Sequence, residues 1–195
     1  SVNTGALLQV RADQIAALST TQTSALTAAQ VGAIGTAQIQ ALTTAQAAAL
    51  TTLQASGLTT GQLAKLEPED LAKFSTGVIA GLTPTQLGAL GNLQIAELTT
   101  TQAAALTAQQ VGGLSTAQLA AFETADFASL STSAVGGLTT TQIAALSGDL
   151  IAAFTAAQLS KMSAAQIAAM GTVPLQSMTT DQAAALTPLQ IASMS

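Results

Sequence analysis

Large apolar residues return at every eighth position along this chain. From Leu18 the series runs Leu26, Ile34, Leu42, Leu50, Leu58, Leu66 and Phe74, and continues through Leu114, Phe122, Phe154, Met162 and Leu186 to Met194 without insertion or deletion. So short and strict a period marks a solenoid, in which each unit packs mainly on its neighbours. The 195 residues divide into about 23–24 octads and predict one continuous repeat body over residues 1–195.

Letter the large apolar position a and the others b to h. Slot b is mostly Ser or Thr (Ser19, Thr27, Thr43, Thr51, Thr59, Thr83, Thr99, Thr107). Slot e is usually Gln (Gln14, Gln22, Gln46, Gln54, Gln62, Gln86, Gln102). Slot f is Ile, Val, Leu or Ala, and slot g is nearly always Ala, Gly or Ser. Slots c, d and h vary and hold most of the charge (Asp13, Lys65, Glu69, Lys73, Glu97, Asp149, Lys161, Asp181). Slots a and f are therefore expected inside, small slot g where backbones approach, and slots c, d and h toward solvent or a partner.

Ser or Thr followed three residues later by Gln has the spacing of a capping box. The hydroxyl accepts from the backbone N–H at the third helical position, and the Gln side chain accepts from the cap's own N–H. In register with an apolar period, that tetrad predicts a helix starting after slot b in every octad. The prolines agree. Pro68, Pro84 and Pro188 occupy slot c, the first helical position, where a missing N–H costs least; Pro174 falls in slot e, within the first turn. Gly35, Gly91 and Gly171 replace the cap, a position Gly tolerates.

A single long helix does not fit, because eight residues at about 100° each rotate slot a by about 80° per octad and the apolar stripe would wind around the cylinder. A β-solenoid is the rival for any short period, but octad centres such as Ala-Gln-Ile-Ala-Ala favour helix and do not alternate. The expected fold class is all-α: a solenoid of very short capped helices, one per octad. No octad folds alone. Burying two large side chains yields roughly 3–6 kcal/mol, whereas ordering eight residues costs roughly 8–16 kcal/mol. Stability must come from coil-on-coil contact.

A weaker second period overlays the first. The stretch beginning at Leu82 resembles the stretch beginning at Leu26, an offset of seven octads. A Glu-x-x-Asp variant of the cap appears at Glu67/Asp70 and again at Glu123/Asp126, each followed by an octad lacking the Gln (Val78, Ala134). Seven octads are either a whole number of superhelical turns or a relic of duplication; the number of octads per coil stays open.

Composition narrows the chemistry. There is no Cys, His, Trp or Tyr, only 7% of residues are charged, and the net charge is −5. Thiol and imidazole chemistry are excluded, and so are the usual soft metal ligands. Four basic residues and four Phe supply neither a phosphate-binding stripe nor a stacking platform, so no nucleic-acid partner is expected. Mean hydropathy is +0.50, yet Thr, Ser or Gln interrupts every octad and no run approaches the roughly 18 apolar residues of a membrane span. The start, SVNTGALLQVRADQ, lacks the pattern of a signal peptide. No Ser or Thr has a base partner, so no enzyme and no cofactor are expected.

Three features invite a closer look. Glu67, Glu69 and Asp70, with Glu123 and Asp126 one superperiod on, are the one candidate Ca²⁺ ligand set; the favoured alternative is that acids at helix starts complement the macrodipole, with Lys65 and Lys73 balancing them. The Thr-rich slots b, c and d could form a hydroxyl array for ice or glycan, or simply cap and solubilise. Leu53, Leu93, Val173 and Leu189 are aliphatic exceptions in slot d and suggest lateral packing between solenoids. Val10 and Met194 mark where the repeat begins and stops without a polar cap, which points to end-to-end association or to excision from a longer protein.

The segments LTTAQAAAL at Leu42 and LSTAQLAAF at Leu114 carry a resemblance. The whole chain resembles the Leu-Thr-Thr-Ala-Gln-type octad tracts of large repetitive proteins that bacteria secrete or display. The resemblance implies a fibre or stalk, although no non-repetitive binding head is visible. The functional expectation is a structural protein, a self-assembling protomer of an extracellular filament, sheath or stalk, with itself as partner and a cell-surface anchor as a second candidate partner. The alternative is a surface-binding module for ice or glycan. A cell-surface or extracellular location is expected, with a cytoplasmic one left open.

Overall fold

The computed structural model describes residues 9–171 and 178–194. Among these residues every regular element is a helix, from four residues at Thr60–Leu63 to six at Ala28–Ala33, and there is no strand. The fold is all-α, with one short helix per octad. The chain divides into two compact units, Ser1–Leu98 and Thr99–Ser195. Both use the same octad.

The cap starts each helix as the sequence predicts. At Thr99 (φ −77°, ψ 156°) the hydroxyl accepts from the Gln102 N–H at 3.3 Å, while Gln102 Oε1 accepts from the Thr99 N–H at 2.9 Å. Pro68, Pro84 and Pro188 each open a helix at its first position. Gly35 and Gly91 take the extended cap conformation. Gly171 does not: its φ is +77°, in the left-handed region that suits glycine. Pro174 and Val173 lie outside the described residues. The slot-a residue closes each helix by a tight i→i−3 bond, as Leu106 N–H does onto the Ala103 carbonyl at 3.1 Å. The next cap then turns the chain.

In the first unit, helix Thr52–Ser56 packs on Thr76–Gly81, three octads later, and Ala28–Ala33 packs on Thr52–Ser56. In the second unit, Thr100–Ala104 packs on Thr124–Ser129 and Ala108–Gly112 on Thr132–Gly136. Slots a and f form the core, with Leu63, Leu71, Ile79 and Leu87 fully buried in one unit and Ile143 and Leu159 in the other. The second unit also stacks Phe122, Phe127 and Phe154 edge to face, with ring centroids 6.3 and 5.1 Å apart.

Candidate functional site: the glutamine bridge between coils

Slot e does more than the capping box requires. Gln46, Gln54, Gln62, Gln86 and Gln94 in the first unit are buried, as are Gln142, Gln158 and Gln166 in the second. Each amide has two ends. Its oxygen accepts from the cap N–H of its own helix. Its nitrogen donates to backbone carbonyls one coil below. Gln62 Nε2 reaches the Val31 carbonyl at 2.8 Å and the Ile34 carbonyl at 2.6 Å, 31 and 28 residues back. Gln94 repeats this on Leu63 and Leu66, and Gln190 on Leu159 and Met162, each at 2.7–2.8 Å. Gln38 bridges to the Val10 carbonyl in the same register. One side chain thus satisfies three polar backbone groups, which is why a neutral amide can be buried so often.

The register fixes the coil. A helix packs on the one three octads away, and its Gln reaches the end of the helix four octads before it. One coil is therefore three and a half octads, the 28 residues that separate Gln62 from Ile34. Two coils are seven octads, so the sequence superperiod is a whole number of turns within each unit.

Slot h departs from expectation. The sequence pattern puts it toward solvent, yet in several octads it abuts slot c of the coil below. A Cβ on Gly57 would stand 2.2 Å from the Ala28 carbonyl oxygen, and one on Gly137 would stand 2.1 Å from that of Ala108. Where slot h is Ser, the hydroxyl uses the approach: Ser129 Oγ donates to the Thr100 carbonyl at 3.0 Å and Ser193 Oγ to that of Ala164 at 2.9 Å. Slot g is tight as expected, since a Cβ on Gly32 would stand 2.5 Å from the Gly57 carbonyl oxygen.

The acidic residues do not assemble into a metal centre. Among the described residues no three carboxylates come together in a way that could hold an ion. Glu67, Glu69 and Glu123 are exposed, whereas Asp70 and Asp126 stand in slot e and are buried. Neither Glu67 nor Glu123 caps its helix through its side chain. Lys65 and Lys73 form no ion pair; the one ion pair among the described residues joins Arg11 to Asp13 at 3.0 Å on the surface. Burial pushes the Asp70 carboxyl above the usual carboxylate range, and the charges of Glu67 and Glu69 push it further. The hydrogen bond from Arg11 holds Asp13 below that range.

The apolar slot-d residues Leu53, Leu93 and Leu189 are all exposed, at 72–77%. Leu53 and Leu93 are five octads apart, not a whole number of coils, so they face different sides of their unit. Val10 and Met194 are partly exposed. Ile191 stands in slot f, a core position, and is nevertheless 55% exposed, because no described coil covers it. Among the threonines, slot-b hydroxyls are committed to caps, while Thr100 and Thr101 in slots c and d are exposed.

Comparison with known proteins places two segments of the chain. A family model described as the ALTTAQ repeat matches residues 63–100 and 119–156, together less than half of the chain. The two matches are of equal length, and the second begins seven octads after the first, which is the two-coil superperiod. No curated protein matches the chain.

Proposed function

Taking as premise that this chain carries ALTTAQ repeats, we propose that it is a structural protein, a protomer that self-associates into an extracellular filament, sheath or stalk. One observation carries the reading: the Gln amide joins the helix start of one coil to the helix end of the coil below, and does so octad after octad. The side chains with most hydrogen-bonding capacity are spent along the solenoid axis, on cohesion between coils. A polymer under tension needs that cohesion, and a catalyst gains little from it. Heterologous contacts that do not close propagate into fibres, and the exposed slot-d side chains Leu53 and Leu93 are low-charge apolar surface that a second copy would cover. With few charges, assembly would respond weakly to salt.

Electron microscopy of the purified chain tests the proposal. Filaments that persist across a salt series support it. A stable monomer at micromolar concentration by sedimentation refutes it. In that case the exposed hydroxyls of slots c and d favour the second reading, a surface-binding module for ice or glycan, which ice-recrystallisation and glycan-array assays would then detect. No helix among the described residues is long and apolar enough to cross a membrane.

A further inference from the structure

The glutamine bridge has a missing rung in the first unit. At Asp70 the slot-e side chain is a carboxyl, 4% exposed, to which no group donates and whose oxygens keep only a narrow edge on solvent. Asp70 is 28 residues beyond Leu42 and 31 beyond Ile39, the register in which Gln62 donates to Ile34 and Val31. The Ile39 carbonyl already accepts from the Leu42 N–H at 3.2 Å, but the carbonyl of Leu42, a buried residue, accepts no hydrogen bond within the protein. An unpartnered carboxyl and an unpartnered carbonyl therefore stand at the two positions that a Gln amide joins elsewhere. A carboxylate has no proton to give, and a carbonyl oxygen can only accept. A carboxylic acid, by contrast, donates one hydrogen bond as an amide does. Aspartic acid has one proton and one methylene fewer than glutamine, so it serves a single carbonyl.

We propose that Asp70 is a protonation-dependent rung: as the neutral acid it donates its O–H to the Leu42 carbonyl and closes the coil junction, and as the carboxylate it loosens that junction. The surroundings favour the neutral form. The helix below, Thr44–Ala48, and the coil segment Ile39–Leu42 carry no titratable group. The helix above, Asn92–Ala96, carries none within it and has exposed Glu97 at its end. Glu67 and Glu69, on the same octad, add negative charge, and neither Lys73 at the end of that octad nor Lys65 at the end of the preceding one forms an ion pair. Because the folded-state affinity for the proton is raised, the contribution to stability is fully present below the ordinary Asp value and is lost as pH rises through the folded one. Most carboxylates act in the opposite sense.

Carboxyl ¹³C NMR and amide hydrogen exchange on the full chain test this together, with Asp70→Gln and Asp70→Asn as comparisons. The Asp70 carbon should titrate above the ordinary Asp value. Protection of the amides around Leu71 and Phe74, corrected for intrinsic rate, should fall severalfold as the carboxyl ionises. Asp70→Gln should keep the protection constant through that range. An Asp70 titration at or below the ordinary Asp value overturns the proposal, as does a loss of protection that persists in Asp70→Gln. Protection restored at neutral pH by millimolar Ca²⁺ in the wild type, but not in Asp70→Gln, would also overturn it, since the missing rung would then be a cation site.

Discussion

Gln62→Leu isolates what one bridge is worth. Gln62 is 2% exposed, and its amide makes three bonds: one from the Thr59 N–H at 2.7 Å and two to the carbonyls of Val31 and Ile34. The losses are unequal. Thr59 is exposed, so water replaces its partner, and the Val31 carbonyl keeps its bond from the Ile34 N–H. The Ile34 carbonyl keeps none, and Ile34 is 5% exposed. Two net hydrogen bonds at about 1 kcal/mol each, plus about 1–2 kcal/mol for the orphaned carbonyl, give a loss of about 3–4 kcal/mol. Leucine is nearly the same size and recovers part of this by apolar burial, leaving about 2 kcal/mol. Gln22→Leu is the control. Gln22 is exposed and its amide makes only the cap bond, from Ser19 N–H at 2.9 Å, so its loss is about 0.5–1 kcal/mol. Solenoids lose two-state behaviour readily, so the assay is amide hydrogen exchange at Leu63 and Ile34, supported by urea titration. Gln62→Glu sharpens the test, since it keeps the shape and aims a carboxylate at two carbonyls. It should destabilise more than Gln62→Leu at neutral pH and recover on acidification. Equal losses for Gln62→Leu and Gln22→Leu would refute the bridge as a source of stability.

Further predictions concern local geometry. Gly57→Ala drives a Cβ to 2.2 Å from backbone and should cost about 2 kcal/mol or more, whereas Gly61→Ala meets nothing within 4 Å in its helix and should gain about 0.5–1 kcal/mol; paired urea titrations decide. Thr99→Val removes a cap and should cost about 1 kcal/mol, against little for Thr100→Val one slot on; equal effects would mean the octad is mis-registered.

The octad itself is legible in the sequence because each of its signals is local. The cap at Thr99, the opening of a helix at Pro84 and the burial of Leu63 all follow from contacts within one repeat or from the apolar period. The coil is not legible, because every octad offers the same slots and nothing nearby says which earlier octad lies beneath. The capping box accounts for one half of Gln62; its other half acts on Ile34, 28 residues away, so the burial of slot e escapes a local reading. Slot h escapes for the same reason: Gly57 looks like any small residue until the Ala28 carbonyl is brought against it. The seven-octad superperiod holds the answer in outline, since it equals two coils, but it becomes interpretable only once the Gln register sets one coil at three and a half octads. The acids are ambiguous in another way. Glu67 and Asp70 belong to one cap-like tetrad, yet one faces solvent and the other fills a Gln position.

The coil of three and a half octads is the claim on which the rest depends, and disulfide mapping tests it directly because the chain has no Cys. Ser129 Oγ lies 3.0 Å from the Thr100 carbonyl oxygen, 29 residues back. The double variant Thr100→Cys/Ser129→Cys should crosslink rapidly and intramolecularly under mild oxidation. Two controls, Thr100→Cys/Ala108→Cys and Thr100→Cys/Thr116→Cys, place the second thiol one and two octads on and should not crosslink. Fast crosslinking of the Thr100/Ser129 pair alone is the result the account predicts. Crosslinking of a control pair at the same rate, or none between positions 100 and 129, would contradict it.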